Sequence, residues 1–254
     1  MKIATWNVNS LRVRLPHLLD WLAQEQPDVV GLQELKCTDA QFPFAELAAA
    51  GYQAAVNGQK TYNGVALLAR EMPQEVTRDL PGFDDAQKRV ISGTVCGVRI
   101  VNAYVVNGQA VGSEKYEYKL RFLDAFRQLL AAEHAAHTQL VVMGDFNIAP
   151  TPDDTHDPAQ WEGKILCSEP ERAALRAITD LPLADGFDLA PAPEGRFTWW
   201  DYRQAGFRRD LGLRIDHLLL SPEAATRLTG WRVDKAPRRL ERPSDHAPVI
   251  ITLE

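Results

Sequence analysis

Carboxylates, amides and an imidazole recur in this 254-residue sequence directly beside apolar runs. Trp6 is followed by Asn7, Gln33 by Glu34, and Met143-Gly144 by Asp145 and Asn147. Ile215 precedes Asp216-His217, and Asp245-His246 precedes the apolar stretch Ala247–Leu253. Acids beside buried strand ends are costly unless they are paired or bind a cation. If these points converge, the counter-charge that suits them is a hard divalent ion, because carboxylate and amide oxygens are what Mg²⁺ prefers. Taken singly, each residue reads more simply as a turn former or helix cap. Two segments resist that reading. In Asp145-Phe146-Asn147 an extended backbone sends both polar side chains to one face. In Ser244-Asp245-His246-Ala247-Pro248 a Pro-flanked Asp-His pair has little structural purpose, although a lone His is more often a satisfied core residue.

The elements that must position these groups follow from hydrophobic spacing. Lys2–Trp6 and Val29–Leu32 read as buried strands, with Leu11, Leu15, Leu18, Leu19 and Leu22 at helical spacing between them. Gly64–Ala69, Val90–Val95 and Val98–Val106 predict further strands, and a long helix runs from about Glu114 to His137 with Phe122, Leu123, Phe126, Leu129 and Leu130 inward. Leu140–Met143 is a strand that stops at a Gly-Asp pair. A Pro- and Asp-rich loop (Pro150–Pro158), a helix near Glu169–Ile178 and strands near Phe197–Trp200, Arg214–Leu220, Trp231–Lys235 and Ala247–Leu253 complete the chain. No linker or strong repeat divides it. The expectation is one domain over residues 1–254, an α/β sandwich of two packed sheets with helices outside.

Composition narrows the setting more than the chemistry. Hydrophobic residues make up 45% and charged residues 24%, as in ordinary globular proteins. The first residues lack the apolar run of a signal peptide, and no stretch approaches a membrane span of roughly 20 apolar residues. Cys37, Cys96 and Cys167 are far apart, which predicts reduced thiols in a cytoplasm rather than a disulfide frame or zinc site. A net charge of −6 argues against non-specific nucleic-acid binding, but only weakly. Phosphate contact needs no more than a local basic rim.

In combination the motifs resemble a known family. Trp6-Asn7-Val8-Asn9, Leu32-Gln33-Glu34-Leu35-Lys36, Asn63-Gly64-Val65-Ala66, the run from Asn102 to Gly108, Gly144-Asp145-Phe146-Asn147-Ile148-Ala149-Pro150, Leu213-Arg214-Ile215-Asp216-His217 and Ser244-Asp245-His246 are similar, in order, to those of the exonuclease III family of apurinic/apyrimidinic endonucleases. The likeness spans residues 2 to 253. Gly-Asp-x-Asn and Ser-Asp-His also mark the wider endonuclease/exonuclease/phosphatase superfamily. The resemblance implies a four-layered α/β sandwich of the deoxyribonuclease I type, two packed mixed sheets flanked by helices. It implies a DNA-repair phosphodiesterase, acting on double-stranded DNA with abasic sites or blocked 3′ ends. It also implies Mg²⁺ as cofactor, with Mn²⁺ as a substitute. The expected state is a monomer with no membrane association.

The same resemblance distributes roles over this chain. Glu34 is similar to the family's main metal-binding carboxylate, with Asn7 and Asp245 near the same ion and Asp145 and Asn147 across the site. Asp145 would deprotonate the attacking water, assisted by Asn147. His246 would meet a non-bridging phosphate oxygen, with Asp216 holding its ring and favouring the protonated form. Tyr104 would contact the scissile phosphate and Asn107 line the same pocket. Of Trp199-Trp200, alternation buries one indole and leaves the other to face the site. The family places an aromatic at Trp199 in the apolar pocket for a flipped-out, base-less deoxyribose; two core aromatics is the plainer alternative. Arg203, Arg208, Arg209, Arg214, Lys36, Lys60, Arg12 and Arg14 are candidates for phosphate contacts, on clustering alone. Two departures stand out. Asn9 occupies a place where some relatives carry an acid. The loop Gly108-Gln109-Ala110-Val111-Gly112 lacks the wedging arginine of certain members, and Arg203 stands where an apolar wedge occurs in some.

Overall fold

The computed structural model describes residues 1–190, 193 and 195–254. Along the chain its strands are β1 (Lys2–Asn7), β2 (Val29–Gln33), β3 (Gln53–Asn57), β4 (Val65–Ala69), β5 (Gln74–Arg78), β6 (Val90–Val95) and β7 (Val98–Tyr104). There follow β8 (Leu140–Asp145), β9 (Ala184–Asp185), β10 (Trp199–Trp200), β11 (Gly212–Leu213), β12 (Asp216–Leu220), β13 (Leu228–Val233) and β14 (Val249–Leu253). The principal helices are α1 (Leu11–Glu25), α2 (Phe44–Ala49), α3 (Glu114–Ala136), α4 (Pro158–Trp161) and α5 (Glu169–Thr179).

Among the described residues the strands form two six-stranded sheets, in the orders β13-β14-β1-β2-β4-β3 and β5-β6-β7-β8-β12-β9, and β10 pairs with β11 as a ribbon. Each large sheet is mixed: β1 runs parallel to β2, and β7 parallel to β8, within otherwise antiparallel neighbours. Side-chain alternation explains the layers. Ile3, Val29, Leu67, Ile100, Val141, Met143, Leu218 and Ile251 point between the sheets into one core. Ala4, Trp6, Val30 and Leu68 point the other way, against Leu18, Trp21 and Leu22 of α1. On the far side, Val101, Val142 and Leu219 meet Phe122, Phe126 and Leu130 of α3 and Leu175 and Ile178 of α5. Helix, sheet, sheet, helix is the four-layered sandwich the sequence predicts. Strands buried on both faces lose the polar alternation of an exposed sheet and read as continuous apolar runs.

Most elements fall where spacing predicts them, and the differences have physical causes. The expected strand Arg214–Leu220 starts two residues later, as β12 at Asp216, because Arg214 is drawn into a buried ion pair with Asp154 and Asp185. That pairing removes Arg214 from the candidates for phosphate contact. β5, with the sequence Gln-Glu-Val-Thr-Arg, is an edge strand with only Val76 half-buried, so it carries no apolar run to announce it. The small residues of β3 and the short α2 were likewise silent. Two helix starts are conventional: the Ser113 hydroxyl accepts from Tyr116 N–H, and Ser168 with Glu171 forms a capping box.

Just below one end of the sandwich the inter-sheet core turns polar. Gln33 Nε2 donates to Thr5 Oγ1 at 2.8 Å and to Asn102 Oδ1 at 2.7 Å. Asn102 Nδ2 in turn donates to Leu32 O and Ala66 O, at 3.0 and 2.9 Å. Gly31 makes the close approach possible, since a Cβ there would lie 2.9 Å from the Asn102 amide. A buried network of this kind fixes one sheet against the other, because any slip strands its polar groups without partners.

Candidate active site

The sheet topology carries the polar strand ends to that same end of the molecule. Asn7 closes β1, Glu34 follows β2, Tyr104 closes β7 and Asp145 closes β8. Asp216 opens β12 rather than ending a strand, and because β12 runs antiparallel to β8, it lies directly opposite Asp145. Asp245 and His246 precede β14, held to the β10 segment by Trp200 N–H on Asp245 O and Ala247 N–H on Thr198 O, at 3.0 and 2.8 Å. Trp6 Nε1 donates to His246 O and Ser244 Oγ to Asn7 O, tying the last loop to the first strand.

The side chains form one connected group. Asn7 Nδ2 donates to both Glu34 Oε1 (3.0 Å) and Asp145 Oδ2 (2.9 Å), while its Oδ1 accepts from Asn9 N–H. Tyr104 Oη donates to Glu34 Oε1 at 2.7 Å, and Lys36 Nζ lies 3.0 Å from Glu34 Oε2. Asn107 Nδ2 donates to Asn147 Oδ1 at 3.1 Å, and Asn147 N–H donates to Asp145 Oδ1 at 2.9 Å. His246 Nδ1 meets Asp216 Oδ2 at 2.9 Å and turns Nε2 toward Asp145 Oδ2, 3.6 Å away. Asp245 accepts from Asn9 Nδ2 at 2.9 Å and from Trp199 Nε1 at 3.0 Å.

The route by which Asp145 and Asn147 come together differs from the expected one. Asn147 has φ of 52°, in the left-handed region, so the segment leaves the extended conformation after Asp145. The two polar groups meet through a turn in which Asp145 Oδ1 accepts the Asn147 N–H. Asn9 and Glu34 are also left-handed, at 43° and 53°. Asn tolerates that region; for Glu it is a local strain of the sort that surrounding structure must over-determine. Here Tyr104, Asn7 and Lys36 hold the Glu34 carboxylate.

Electrostatics follows from burial. Asp145 is 1% exposed. Burial raises its carboxyl, and Asp216 and Glu34 add to the rise, against the His246 charge and the Asn7 amide; the result is pushed up to about 7. His246 is also buried, which opposes its charged form, but Asp216 and Asp145 outweigh this and raise the imidazole. It is therefore a cation poised between two acids. Tyr104 rises well above the ordinary phenol range through burial, Glu34 and Asp145, and stays a proton donor.

The residues fit a hard cation. Glu34, Asp145 and Asp245 offer carboxylate oxygens, and the crowding of buried acid that raises Asp145 is what a divalent ion relieves. Asp145, Asp216 and His246 also bring ligand atoms within 4.8 Å of one another. In that trio His246 Nδ1 and the Asp216 carboxylate are engaged with each other, so the trio reads better as a hydrogen-bonded relay than as a cage. As placed, Asn7 acts as a donor to two carboxylates, its own oxygen being taken by Asn9 N–H.

A sequence profile of the Endonuclease/Exonuclease/phosphatase family matches residues 4–246. The chain is 37% identical to exodeoxyribonuclease III of Haemophilus influenzae, over 98% of each chain. The chain belongs to the exonuclease III branch of that family. Among solved structures it is similar to the 3′ phosphatase NExo from Neisseria bound to a product DNA hairpin (TM-score 0.98, 48% identity, 100% of this chain and 99% of that one). It is also similar to an AP endonuclease from Archaeoglobus fulgidus (TM-score 0.95, 34% identity, 100% and 99%). The family's enzymes are metal-dependent nucleases, in keeping with the acid cluster described above.

Beyond the ten site residues expected from sequence, the exonuclease III-type site enlists Thr198, and it gives Lys36, expected at a phosphate, protein partners. Thr198 Oγ1 donates to Asp216 Oδ2 at 2.6 Å and accepts the N–H groups of Ile215 and Asp216. Lys36 bridges Glu34 and Asn9, the latter at 2.6 Å. Thr198 lies in a run without polar signal, and a lysine after a strand is usually a solvated one. The expected basic rim is thinner than clustering suggests. Arg14 is bonded to Arg242 O, Pro243 O and Tyr202 Oη, and Arg203 pairs with Asp201. Arg12, Lys60, Arg208 and Arg209 remain exposed. A cavity of about 410 Å³ lies on the Tyr104 and Asn107 side, with Tyr62, Arg89 and Lys115 in its wall. One of about 470 Å³ lies on the Trp199 side, with Trp161, Arg203 and Arg209.

Proposed function

We propose that this protein is a DNA-repair phosphodiesterase that cleaves 5′ to abasic sites and removes 3′ blocking groups or nucleotides from duplex DNA. It uses Mg²⁺, which Mn²⁺ can replace, and works as a single-domain monomer in the cytoplasm. The observation that carries the reading is the continuous hydrogen-bonded chain from Asn107 through Asn147, Asp145 and Asn7 to Glu34 and Tyr104, with the His246–Asp216 pair facing Asp145. The named relatives, an exodeoxyribonuclease III and an AP endonuclease, support it.

The chemistry assigned is attack of water on phosphorus. Asp145 accepts the proton of the water as the new O–P bond forms and the bond from phosphorus to the 3′ oxygen breaks. Asn147 orients the water, and the His246 imidazolium, kept charged by Asp216, faces a non-bridging phosphate oxygen. Tyr104 Oη and the Asn107 amide line the phosphate position. A divalent ion held by Glu34 and Asp245, with Asn7, Asp145 and Asn147 around it, would neutralise phosphate charge and stabilise the leaving oxygen. Trp199 joins Leu166, Leu213 and Ile215 in an apolar cluster beside Asp245, suited to a deoxyribose without its base.

A narrower reading is 3′-phosphatase and exonuclease action with little abasic-site cleavage, favoured by 48% identity to the Neisseria 3′ phosphatase. One assay separates the two. Duplexes bearing an abasic site, a 3′-phosphate or a recessed 3′ end are incubated at equal enzyme, with Mg²⁺ and with chelator. Cleavage of all three with Mg²⁺ supports the broad reading, and loss of only the abasic product supports the narrow one. No turnover on any duplex rejects both. Asp145→Asn and His246→Gln should each lower turnover by roughly 10³-fold or more at unchanged circular dichroism.

A further inference from the structure

Among the buried cations that the exonuclease III-type chemistry leaves unused, one lies directly beneath the site. Lys119 of α3 is 0% exposed. Its ammonium has three donors, and each goes to a different segment: Asn147 O at 2.7 Å, Asn107 O at 3.2 Å, and the Glu171 carboxylate. Asn147 and Asn107 are the two amides that face each other across the site. Glu171 in turn accepts from Leu166 N–H, Ser168 N–H and Ser168 Oγ, so the same ion pair fixes the turn that carries Leu166 beside Trp199.

Neighbouring carbonyls are held in a similar way. Ile148 O meets His217 Nε2 at 2.9 Å, and Ala149 O accepts from Arg172 Nε at 3.0 Å. Three consecutive carbonyls after Asp145–Phe146 are thus each gripped by a side chain from a different element, α3, β12 and α5. A fully buried ammonium must find an acceptor for each of its three donors, and here two of the three are spent on the site's own backbone. The geometry adds bonds to the backbone of both asparagines, which fixes where their amides sit.

We propose that Lys119 is a positioning residue for the hydrolytic reaction, setting the spacing of Asn107 and Asn147 about the substrate phosphate from beneath, with Glu171 as its anchor. This rests on the proposed role of Asn147. Misplacement of about 1 Å at such a site costs on the order of 10²-fold in rate. Loss of one partner of a buried pair also destabilises the fold, whereas neutralising both partners removes the unpaired charge.

The test compares Lys119→Met with the double variant Lys119→Met/Glu171→Gln, on the duplex that wild type cleaves fastest. Lys119→Met should lower the Tm and reduce kcat by roughly 10²-fold with KM changed by less than about threefold. The double variant should recover most of the Tm and little of the kcat. If kcat returns with Tm, or if Lys119→Met keeps wild-type kcat, the proposal is overturned and the pair is structural. Should neither fold, Lys119→Arg decides, because it keeps the pair with Glu171 but offers a planar fork in place of a point donor. Reduced kcat then supports the proposal and wild-type kcat overturns it. Exchange of the Asn147 side-chain amide protons, followed by NMR without DNA, should quicken in Lys119→Met. That readout stands apart from activity, so a wild type inert on DNA would sink the functional reading and leave this one still measurable.

Discussion

Glu34 shows how one carboxylate can be asked to do several things. It accepts from Asn7, Tyr104 and Lys36 while standing in a left-handed backbone conformation. The three donors keep it oriented for a cation. A hydrogen bond to a charged group contributes about 1.5–3 kcal/mol. Tyr104→Phe should therefore lower kcat/KM by roughly 10–100-fold at unchanged near-ultraviolet circular dichroism. Steady-state kinetics on a 3′-phosphate duplex would measure it, and a wild-type value would mean that Tyr104 neither orients Glu34 nor touches substrate.

At the scale of elements, β8 is the strand on which the site depends most. It brings Met143 into the inter-sheet core and Asp145 to the end of the sandwich, and Gly144 between them pairs with both β7 and β12. Gly144 has φ of 143°, and a Cβ there would lie 1.9 Å from Ala103 O. No side chain can move to relieve a clash with backbone. Gly144→Ala should cost roughly 3 kcal/mol or more, measured as a lower urea midpoint with unchanged m-value. An unaltered midpoint would show that β7 and β8 can part locally, and that the glycine is not required by their pairing.

For the molecule as a whole, buried polar networks as well as apolar packing hold the parts together. Arg214 sits between Asp154 and Asp185, joining the loop after β8 to β9 and β12. Burial opposes the charge on both acids, but Arg214 holds each carboxyl below the usual range. A depressed folded-state pKa gives a stabilisation fully present above the unfolded carboxylate value, about 4, and lost as pH falls below it. Arg214→Met should destabilise the protein by about 3–5 kcal/mol at neutral pH, since it leaves buried acids unpaired. The gap should narrow as pH falls below about 4, because the unfolded chain then takes up protons that the Arg214-paired acids of the folded wild type refuse. Urea denaturation at a series of pH values would test the sign, and a gap that widens in acid would refute the assignment.

The sequence determined the identities and the neighbourhoods of the site. Asp145 after an apolar run, His246 beside Asp245, and strands buried on both faces were legible because apolar spacing and abrupt polar stops are local properties. So was the four-layered sandwich, with the motif resemblance pointing to the same fold. What sequence could not supply was convergence. Thr198 on Asp216, Asn7 on both Glu34 and Asp145, and Lys119 under two asparagines join residues far apart in the chain. Only the pairing order of strands decides which ends meet. Arg214 makes the same point in reverse: its type suggested phosphate, and tertiary burial between two carboxylates gave it a structural task instead. A side chain's charge is written in the sequence, but its partner is chosen by the fold, because burial makes an unpaired charge too costly to keep.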